Sequence, residues 1–256
     1  MTIQWAELSR DVVIARGDDA ASFLHSQLAH DVLSMSVGES KYSFLLEPTG
    51  HVTSLVRIVR HDNTLFSLDT DHEYGQAVID RLKRFILRSK VELTLSDWKV
   101  RAFRGADAVT LLGSVAGRAL VAHGSDDAID VVGSVEHLPV LGEETEEGFV
   151  EMLRVDSRWP RLGVDLLVGD IPATSGIVAE CVSFTKGCYP GQELVERMDS
   201  RGANAPVILR SIPRDGVGVG MRLEENGKFV GTVTSVGFTR ALARVDRSST
   251  IGEPLV

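Results

Sequence analysis

The eight residues Lys-Gly-Cys-Tyr-Pro-Gly-Gln-Glu at positions 186–193 restrict the backbone more than any other segment of this chain. Two glycines and one proline occur within five positions. These residue types favour a tight, irregular backbone, because glycine reaches positive φ and proline holds φ near one value. After Gly191, the apolar residues Leu194, Val195 and Met198 follow a helical spacing. The pattern therefore predicts a tight loop that leads directly into the N-terminus of a helix.

A cysteine lies in this predicted loop. Cys188 follows Lys186 by two residues and precedes the predicted helix. A nearby ammonium group and the free amides of a helix N-terminus both stabilise a thiolate, so the pattern favours a reactive cysteine. Lys186 and Cys188 are therefore the candidate catalytic residues. The alternative, in which Cys188 is merely a small buried residue of a constrained turn, remains open at this point.

Composition and charge limit the classes of function. The 256 residues are enough for one large domain or for a body with a smaller module. The net charge is −9 and the basic residues are scattered, which disfavours direct contact with nucleic acid. No apolar run approaches the roughly 20 residues that a bilayer span requires, and the first residues do not resemble a secretory signal. We expect a cytoplasmic protein without a membrane partner, whose two cysteines, Cys181 and Cys188, are thiols.

Apolar periodicity and turn residues predict an α+β fold. The first clear element is a helix near residues 18–32, and a second helix follows residue 71. We also predict a third helix over residues 106–120, and a solvated edge strand with a loop over the acidic, glycine-rich residues 123–149. The predicted strands of the body span residues 42–46, 52–59, 65–68, 91–95 and 99–103.

The chain changes character at about residue 206. Short β-rich runs over residues 207–212, 228–236 and 241–245 then alternate with glycine turns, which is typical of a small all-β module. We therefore expect a body over residues 1–205 and a C-terminal β module over residues 206–256.

Four segments resemble the YgfZ family of folate-binding proteins. Residues 186–193 match the family signature K-G-C-Y-x-G-Q-E at every fixed position, and residues 17–32 resemble its G-x-D-A-x-x-F-L-x-G-Q-x-T-N-D-V opening. Residues 153–165 resemble the R-x-x-x-G-x-P-x-x-G-x-D block, and residues 231–235 resemble G-x-V-T-S. The resemblance thus extends over essentially the whole chain.

This resemblance implies both a fold and a function. The family shares the fold of the glycine-cleavage T-protein (GcvT), with two interleaved α+β subdomains around a central channel and a small C-terminal β-barrel. The channel binds tetrahydrofolate or a one-carbon derivative of it. Family members are implicated in the assembly or repair of iron–sulfur clusters and, through cluster enzymes, in tRNA modification. The implied partners are therefore folate and iron–sulfur client or assembly proteins.

The resemblance also implies which residues bind the cofactor. In T-proteins a glutamate holds the pterin ring, since a carboxylate accepts two N–H bonds from its amino-pyrimidine edge. Glu180 is the nearest candidate here, with a surface or capping role as the alternative, and Trp159 either packs in the core or stacks on the pterin. The complete set of candidate cofactor-binding residues is Gln27, Asp31, Glu180, Tyr189, Gln192, Glu193 and Arg197.

Other positions depart from the T-protein pattern. Thr53 and Ser54 stand where the T-protein has an Asp-Asp pair, so we expect aminomethyl transfer to be weak or absent. The two cysteines and dispersed histidines match no metal pattern, so we expect no metal site within this chain, while a transient cluster shared across an interface, with Cys188 as a single ligand, remains open. Three functions remain open: a folate-dependent accessory protein for iron–sulfur enzymes, a non-catalytic adaptor that has lost folate, and a true one-carbon transferase.

Overall fold

The computed structural model describes residues 2–120, 127–201 and 205–255. The N-terminal elements are β1 (Gln4–Leu8), β2 (Arg10–Arg16), α1 (Ala20–Gln27), β3 (Ser40–Leu46), β4 (Val52–Arg60), β5 (Leu65–Asp71), α2 (Gly75–Lys83) and β6 (Glu92–Ser96). The middle of the chain forms β7 (Lys99–Arg104), α3 (Ala108–Leu112), β8 (Arg118–Leu120), β9 (Ala128–Gly133), β10 (Glu143–Glu144) and α4 (Glu147–Asp156). The remaining elements are α5 (Val178–Cys181), α6 (Gln192–Arg201), β11 (Val207–Pro213), β12 (Arg222–Glu225), β13 (Lys228–Val236) and β14 (Arg240–Asp246).

These strands form three sheets. One five-stranded sheet has the order β10-β1-β7-β9-β8, and a second has the order β3-β4-β5-β2-β6. The third sheet contains four strands in the order β11-β14-β13-β12. Since β1 and β2 are separated only by Ser9 but belong to different five-stranded sheets, the two halves of the body interleave. The predicted α+β class with interleaved subdomains is confirmed.

Each five-stranded sheet has its own apolar core. Phe23 and Leu24 of α1 pack with Leu68 of β5 in the largest buried cluster, because helical spacing places them on the face of α1 that meets the sheet. The other sheet packs Phe103 and Ile129 in a separate cluster. The two cores leave a space between the sheets that is lined by polar side chains and is described below.

The predicted helices were too long in two places. The structure ends α1 at Gln27, because Leu28 adopts an extended conformation and bridges to Leu45 of β3. The predicted helix over residues 106–120 was wrong beyond Leu112: α3 is five residues long and β8 follows. Gly117 turns the chain between them at φ +78°, where a Cβ atom would collide with the carbonyl oxygen of Val132.

The acidic segment from residue 123 to 149 also differs from its prediction. Residues 123–126 lie outside the described ranges, but β9 lies between β7 and β8 rather than at an edge. Asp130 in β9 is 3% exposed, and its charge is balanced by two arginines, as described below. Of the two strands in the described part of this segment, β9 and β10, only the two-residue β10 occupies a sheet edge. The acidic composition therefore wrongly predicted a solvated edge strand for this part of the segment, because Asp130 is a buried ion-pair partner in a central strand.

The C-terminal strands form one antiparallel sheet that is bonded to the body. Asp165, which is fully buried, accepts hydrogen bonds from Thr234 Oγ1 at 2.5 Å and Ser235 Oγ at 2.7 Å. Arg244 of β14 donates to both carboxylate oxygens of Asp170, at 2.6 and 3.0 Å. Such buried charge-assisted bonds hold this sheet on the body. Over the described ranges, no helix combines the length and apolarity needed to cross a membrane.

Candidate functional site

A cavity of about 650 Å³ lies among residues of both five-stranded sheets, α4 and the segment 159–164. Its walls include the crossover from β1 to β2, the middle of β4 and the residues that follow β5. Ligand pockets in proteins typically enclose about 300–1,000 Å³. The cavity therefore has the size and the central position of a small-molecule site.

One wall of the cavity is aromatic. The rings of Tyr42 and Trp159 lie 4.4 Å apart between centroids, with an interplanar angle of 54°, and both side chains are buried. Tyr74 packs against Gly163, where a Cβ atom would collide with the tyrosine hydroxyl, so only glycine leaves room for it. Such rings provide an apolar surface with a polar edge, which suits a flat heterocycle.

A second wall consists of buried charges of alternating sign. Arg57 donates to Asp69 at 3.0 and 3.2 Å and to Asp130 at 2.6 Å, and Arg104 donates to Asp130 at 2.8 Å. Burial alone would raise the pKa of Asp130, but Arg104 and Arg57 outweigh it and hold that pKa at about 2. Asp130 therefore stays ionised throughout the physiological range.

The same chain of charges continues to the cavity surface through Arg10. Its guanidinium bonds to Asp69 and, at 3.1 Å, to Asp71. Asp71 also accepts the amide of Leu162 at 3.0 Å. Burial raises the pKa of Asp71 above its ordinary value, although Arg10 and the Leu162 amide oppose the shift. A cavity carboxylate whose pKa is raised by burial is a candidate for ligand recognition or proton exchange.

A further ion-pair group lies on α4. Arg154 donates to Glu151 at 2.7 Å and to Asp165 at 2.9 Å, and Glu151 also receives Arg161 at 3.3 Å. Burial would lower the pKa of Arg154, but its bonds to Glu151 and Asp165 raise it. The cavity wall is thereby connected through Asp165 to the C-terminal sheet.

The predicted loop and helix at residues 186–193 are present, with α6 beginning at Gln192. Gly191 has φ +86° and lies against the carbonyl of Glu47 and the Cα of Gly50, so a tight backbone is required here. Cys188 is exposed, whereas Cys181 is buried, and both are free thiols. Burial raises the pKa of Cys181. The alternative in which Cys188 is a buried turn residue is therefore wrong.

The side chain of Lys186 does not point into solvent. It is 9% exposed, and its Nζ donates to the carbonyl oxygens of Leu28 at 2.6 Å, His30 at 3.4 Å and His25. Burial lowers the pKa of Lys186 to about 8, with a smaller opposing effect of Asp31. The ammonium is thus engaged at the C-terminal end of α1.

The residues after Cys188 divide between core and surface. Tyr189 is buried in an apolar cluster with Tyr42 and Trp159, and burial, followed by Glu196, raises its pKa. Gln192 accepts the Tyr189 amide at 3.4 Å. The side chains of two other candidates are exposed on α6, namely Glu193 and Arg197.

Three other predicted cofactor-binding residues lie elsewhere. The Oε1 atom of Gln27 and the Oε2 atom of Glu180 are both buried, with no hydrogen-bond partner among the described residues. Asp31 pairs with His25 Nδ1 at 3.1 Å and accepts the Ser34 amide at 3.1 Å. None of the nine predicted site residues, all within the described ranges, lines the central cavity. The assignment of seven of them as cofactor ligands, and of Lys186 and Cys188 as catalytic residues, stays a prediction.

Sequence reasoning missed the residues that do line the cavity. Among them, Arg57 in β4 and Asp130 in β9 are charged residues flanked by apolar residues in buried strands, and such a charge is a recognisable signal for a buried ion pair. Trp159, for which pterin stacking was one of two predicted roles, does line the cavity. Across the described residues, no group of three or more His, Cys, Asp or Glu side chains is arranged to hold a metal ion.

The overall fold matches a solved structure. The glycine cleavage system aminomethyltransferase T from Bartonella henselae superposes with a TM-score of 0.78, covering 96% of this chain and 78% of that chain at 16% identity. This chain therefore has the GcvT-like α+β fold. No protein-family model matches the sequence.

Several proteins are similar to this chain in sequence, among them the following three. An uncharacterised protein from Haemophilus influenzae is 27% identical, with 88% of this chain and 80% of the relative covered. The tRNA-modifying protein YgfZ of Aliivibrio fischeri strain MJ11 is 27% identical over 89% of this chain and 80% of the relative. The protein of the same name from Klebsiella pneumoniae is 25% identical over 85% and 75%. The chain is thus similar to YgfZ proteins along most of its length.

Proposed function

We propose that this chain is a YgfZ-type accessory protein that binds a reduced folate and supports iron–sulfur enzymes, and through them tRNA modification. The observation that carries the proposal is the central cavity of about 650 Å³, with aromatic rings on one wall and buried ion pairs on another. The similarity to proteins named tRNA-modifying protein YgfZ supports the same assignment.

The residues of the cavity fit a folate chemically. A pterin is a flat ring with N–H donors along one edge, so it needs an aromatic surface and a carboxylate acceptor. Tyr42 and Trp159 would supply the surface, and Asp71 would supply the acceptor. Arg161, whose side chain is 45% exposed, would supply a cation for the glutamate tail. When bound, tetrahydrofolate supplies a carrier for one-carbon units.

Thr53 and Ser54, which do not line the cavity, argue against aminomethyl transfer. Ser54 Oγ and Thr70 Oγ1 share a hydrogen bond of 2.8 Å, and Thr53 Oγ1 donates to Glu47 at 3.3 Å. Both hydroxyl groups are thus occupied, and neither can exchange a proton with a folate amine as a carboxylate would. These contacts argue against the parent transfer reaction.

Cys188 lies outside the cavity lining and is exposed. An exposed thiol on a fixed loop suits contact with another protein better than contact with a buried ligand. Cells that carry Cys188→Ala in place of the wild-type protein would therefore lose iron–sulfur enzyme activity, whereas Cys181→Ala would leave it intact. Equal activity of the wild-type and Cys188→Ala cells would remove the thiol from the proposed function.

Anaerobic calorimetric titration with tetrahydrofolate tests the ligand. We expect a micromolar Kd for the wild-type protein and a Kd at least about tenfold weaker for Asp71→Asn, a loss of about 1.4 kcal/mol. Asp97→Asn is the matched control, since Asp97 is exposed and does not line this cavity. It should bind like the wild type.

An adaptor that has lost folate is the second candidate function. The observation that favours it is that none of the seven candidate cofactor-binding residues listed from the sequence lines the cavity. No heat of binding in the titration, for a wild-type protein whose folding is verified by circular dichroism, would overturn the folate proposal and establish the adaptor in its place.

A further inference from the structure

We propose that Lys186 is a positioning residue that fastens the loop carrying Cys188 to the C-terminal end of α1. The proposal rests on the proposed function only for the role of Cys188. From the sequence, Lys186 was a candidate for activating the Cys188 thiol. Its contacts in the structure indicate a positioning role instead.

The ammonium group of Lys186 has all of its hydrogen-bond donors engaged. An ammonium has three N–H donors and no acceptor. The Nζ atom of Lys186 meets three carbonyl oxygens, those of His25, Leu28 and His30. All three donors are therefore used, and none is left to bond the Cys188 thiolate.

Two of these carbonyl groups, those of His25 and Leu28, lie at the C-terminal end of α1. The last carbonyl groups of a helix have no partner within the helix and carry the negative end of its dipole. His25 lies in the last turn of α1, and Leu28 is its C-terminal cap. A lysine that is distant in sequence thus satisfies carbonyl groups that would otherwise be buried without a donor.

Two further contacts hold the same segment. The amide of Ser183 donates to the carbonyl of Ala29 at 3.0 Å. Lys186 Nζ also lies 5.0 Å from the centroid of the Tyr189 ring, which is buried. Cys188 therefore stands between two anchored residues while remaining exposed.

The charges around Lys186 favour an intact clamp at neutral pH. Its ionisable neighbours are His25, His30, Asp31 and Tyr189, whose pKa is raised by burial so that the phenol stays neutral, and Lys41 lies beyond Asp31. The pKa of Lys186, about 8, leaves the ammonium protonated at pH 7. The clamp should weaken as the pH rises through this value.

Hydrogen exchange and thiol alkylation together test the proposal on the purified protein without folate. In Lys186→Met, amides of residues 183–191 should lose protection by about tenfold or more, as expected when local opening costs about 1.4 kcal/mol less. In the wild-type protein the protection of this segment should fall as the pH rises through about 8, and the variant should lack this inflection. Lys83→Met, at an exposed position of α2, is the control and should behave like the wild type.

The pH profile of Cys188 alkylation separates positioning from activation. If Lys186 only positions the loop, the profile of Lys186→Met shifts by less than about one pH unit. A shift of one unit or more towards higher pH, or unchanged exchange in residues 183–191, overturns the proposal. If Lys186→Met does not fold, Lys186→Arg gives the same decision, because a planar guanidinium cannot meet three converging carbonyls in the same way. Folate titration does not enter either readout, so this proposal and the proposed function can fail separately.

Discussion

The guanidinium of Arg57 donates to the carboxylate of Asp130 at 2.6 Å, and this bond joins the two five-stranded sheets. Arg57 lies in β4 of one sheet and Asp130 lies in β9 of the other. Both side chains are buried, so the pair is costly to break. Together with the apolar cluster of Val12, Val59, Val100 and Val132, which also spans the two sheets, this contact holds the sheets against each other beside the cavity.

Asp130→Asn should lower the free energy of unfolding by about 3–5 kcal/mol, because it leaves the buried cations Arg57 and Arg104 without their shared partner. Urea unfolding at pH 7 measures the change. The exposed Asp97→Asn serves as the control, with an expected effect within about 0.5 kcal/mol. A loss of less than about 1 kcal/mol for Asp130→Asn would contradict the assigned role.

Acid should destabilise the wild-type protein partly through the same residue. The folded-state pKa of Asp130 is about 2, below its ordinary value of 3.8, so its stabilising contribution is complete above pH 3.8 and lost as the pH falls towards 2. A depression of nearly two units corresponds to roughly 2 kcal/mol. The stability difference between the wild type and Asp130→Asn should therefore shrink by this amount between pH 5 and pH 2. A constant difference would show that Asp130 keeps its ordinary pKa.

Gly191→Ala should lower the Tm markedly more than Gly216→Ala. Both glycines have positive φ, +86° and +73°, so both substitutions carry a backbone cost of about 1 kcal/mol. A Cβ atom at Gly191 would also lie 2.8 Å from the Glu47 carbonyl and from the Gly50 Cα, whereas Gly216 faces open space. Calorimetry compares the two, and equal Tm values would show that the loop can move away from Glu47.

A thiol reagent should modify one cysteine in the folded protein and two in denaturant. Cys188 is exposed, and Cys181 is buried with a raised pKa, so only Cys188 presents an accessible thiol. Peptide mass analysis after brief alkylation identifies the site. Modification of Cys181 at the same rate as Cys188 would contradict the described packing around α5.

Local pattern predicted much of the secondary structure. The predicted strand at residues 52–59 corresponds to β4, and the helix after Gly191 corresponds to α6. These elements have clear periodicity and are bounded by turn residues. The strands β1 and β2 were not predicted, and the helix assigned through residue 120 was wrong, because a short apolar run does not by itself distinguish a helix from a strand.

The sequence by itself determined the α+β class, the tight loop before α6 and the presence of an uncommon cysteine motif. Each of these depends on residues close together in the chain, where φ restrictions and apolar spacing act directly. Only the tertiary structure decided which side chains form the cavity and what Lys186 contacts. Arg57 and Asp130 are 73 positions apart, and Lys186 is 158 positions from Leu28. Such partners are chosen by which carbonyl groups and charges are left unsatisfied once the sheets and helices have packed, and no local pattern records that choice.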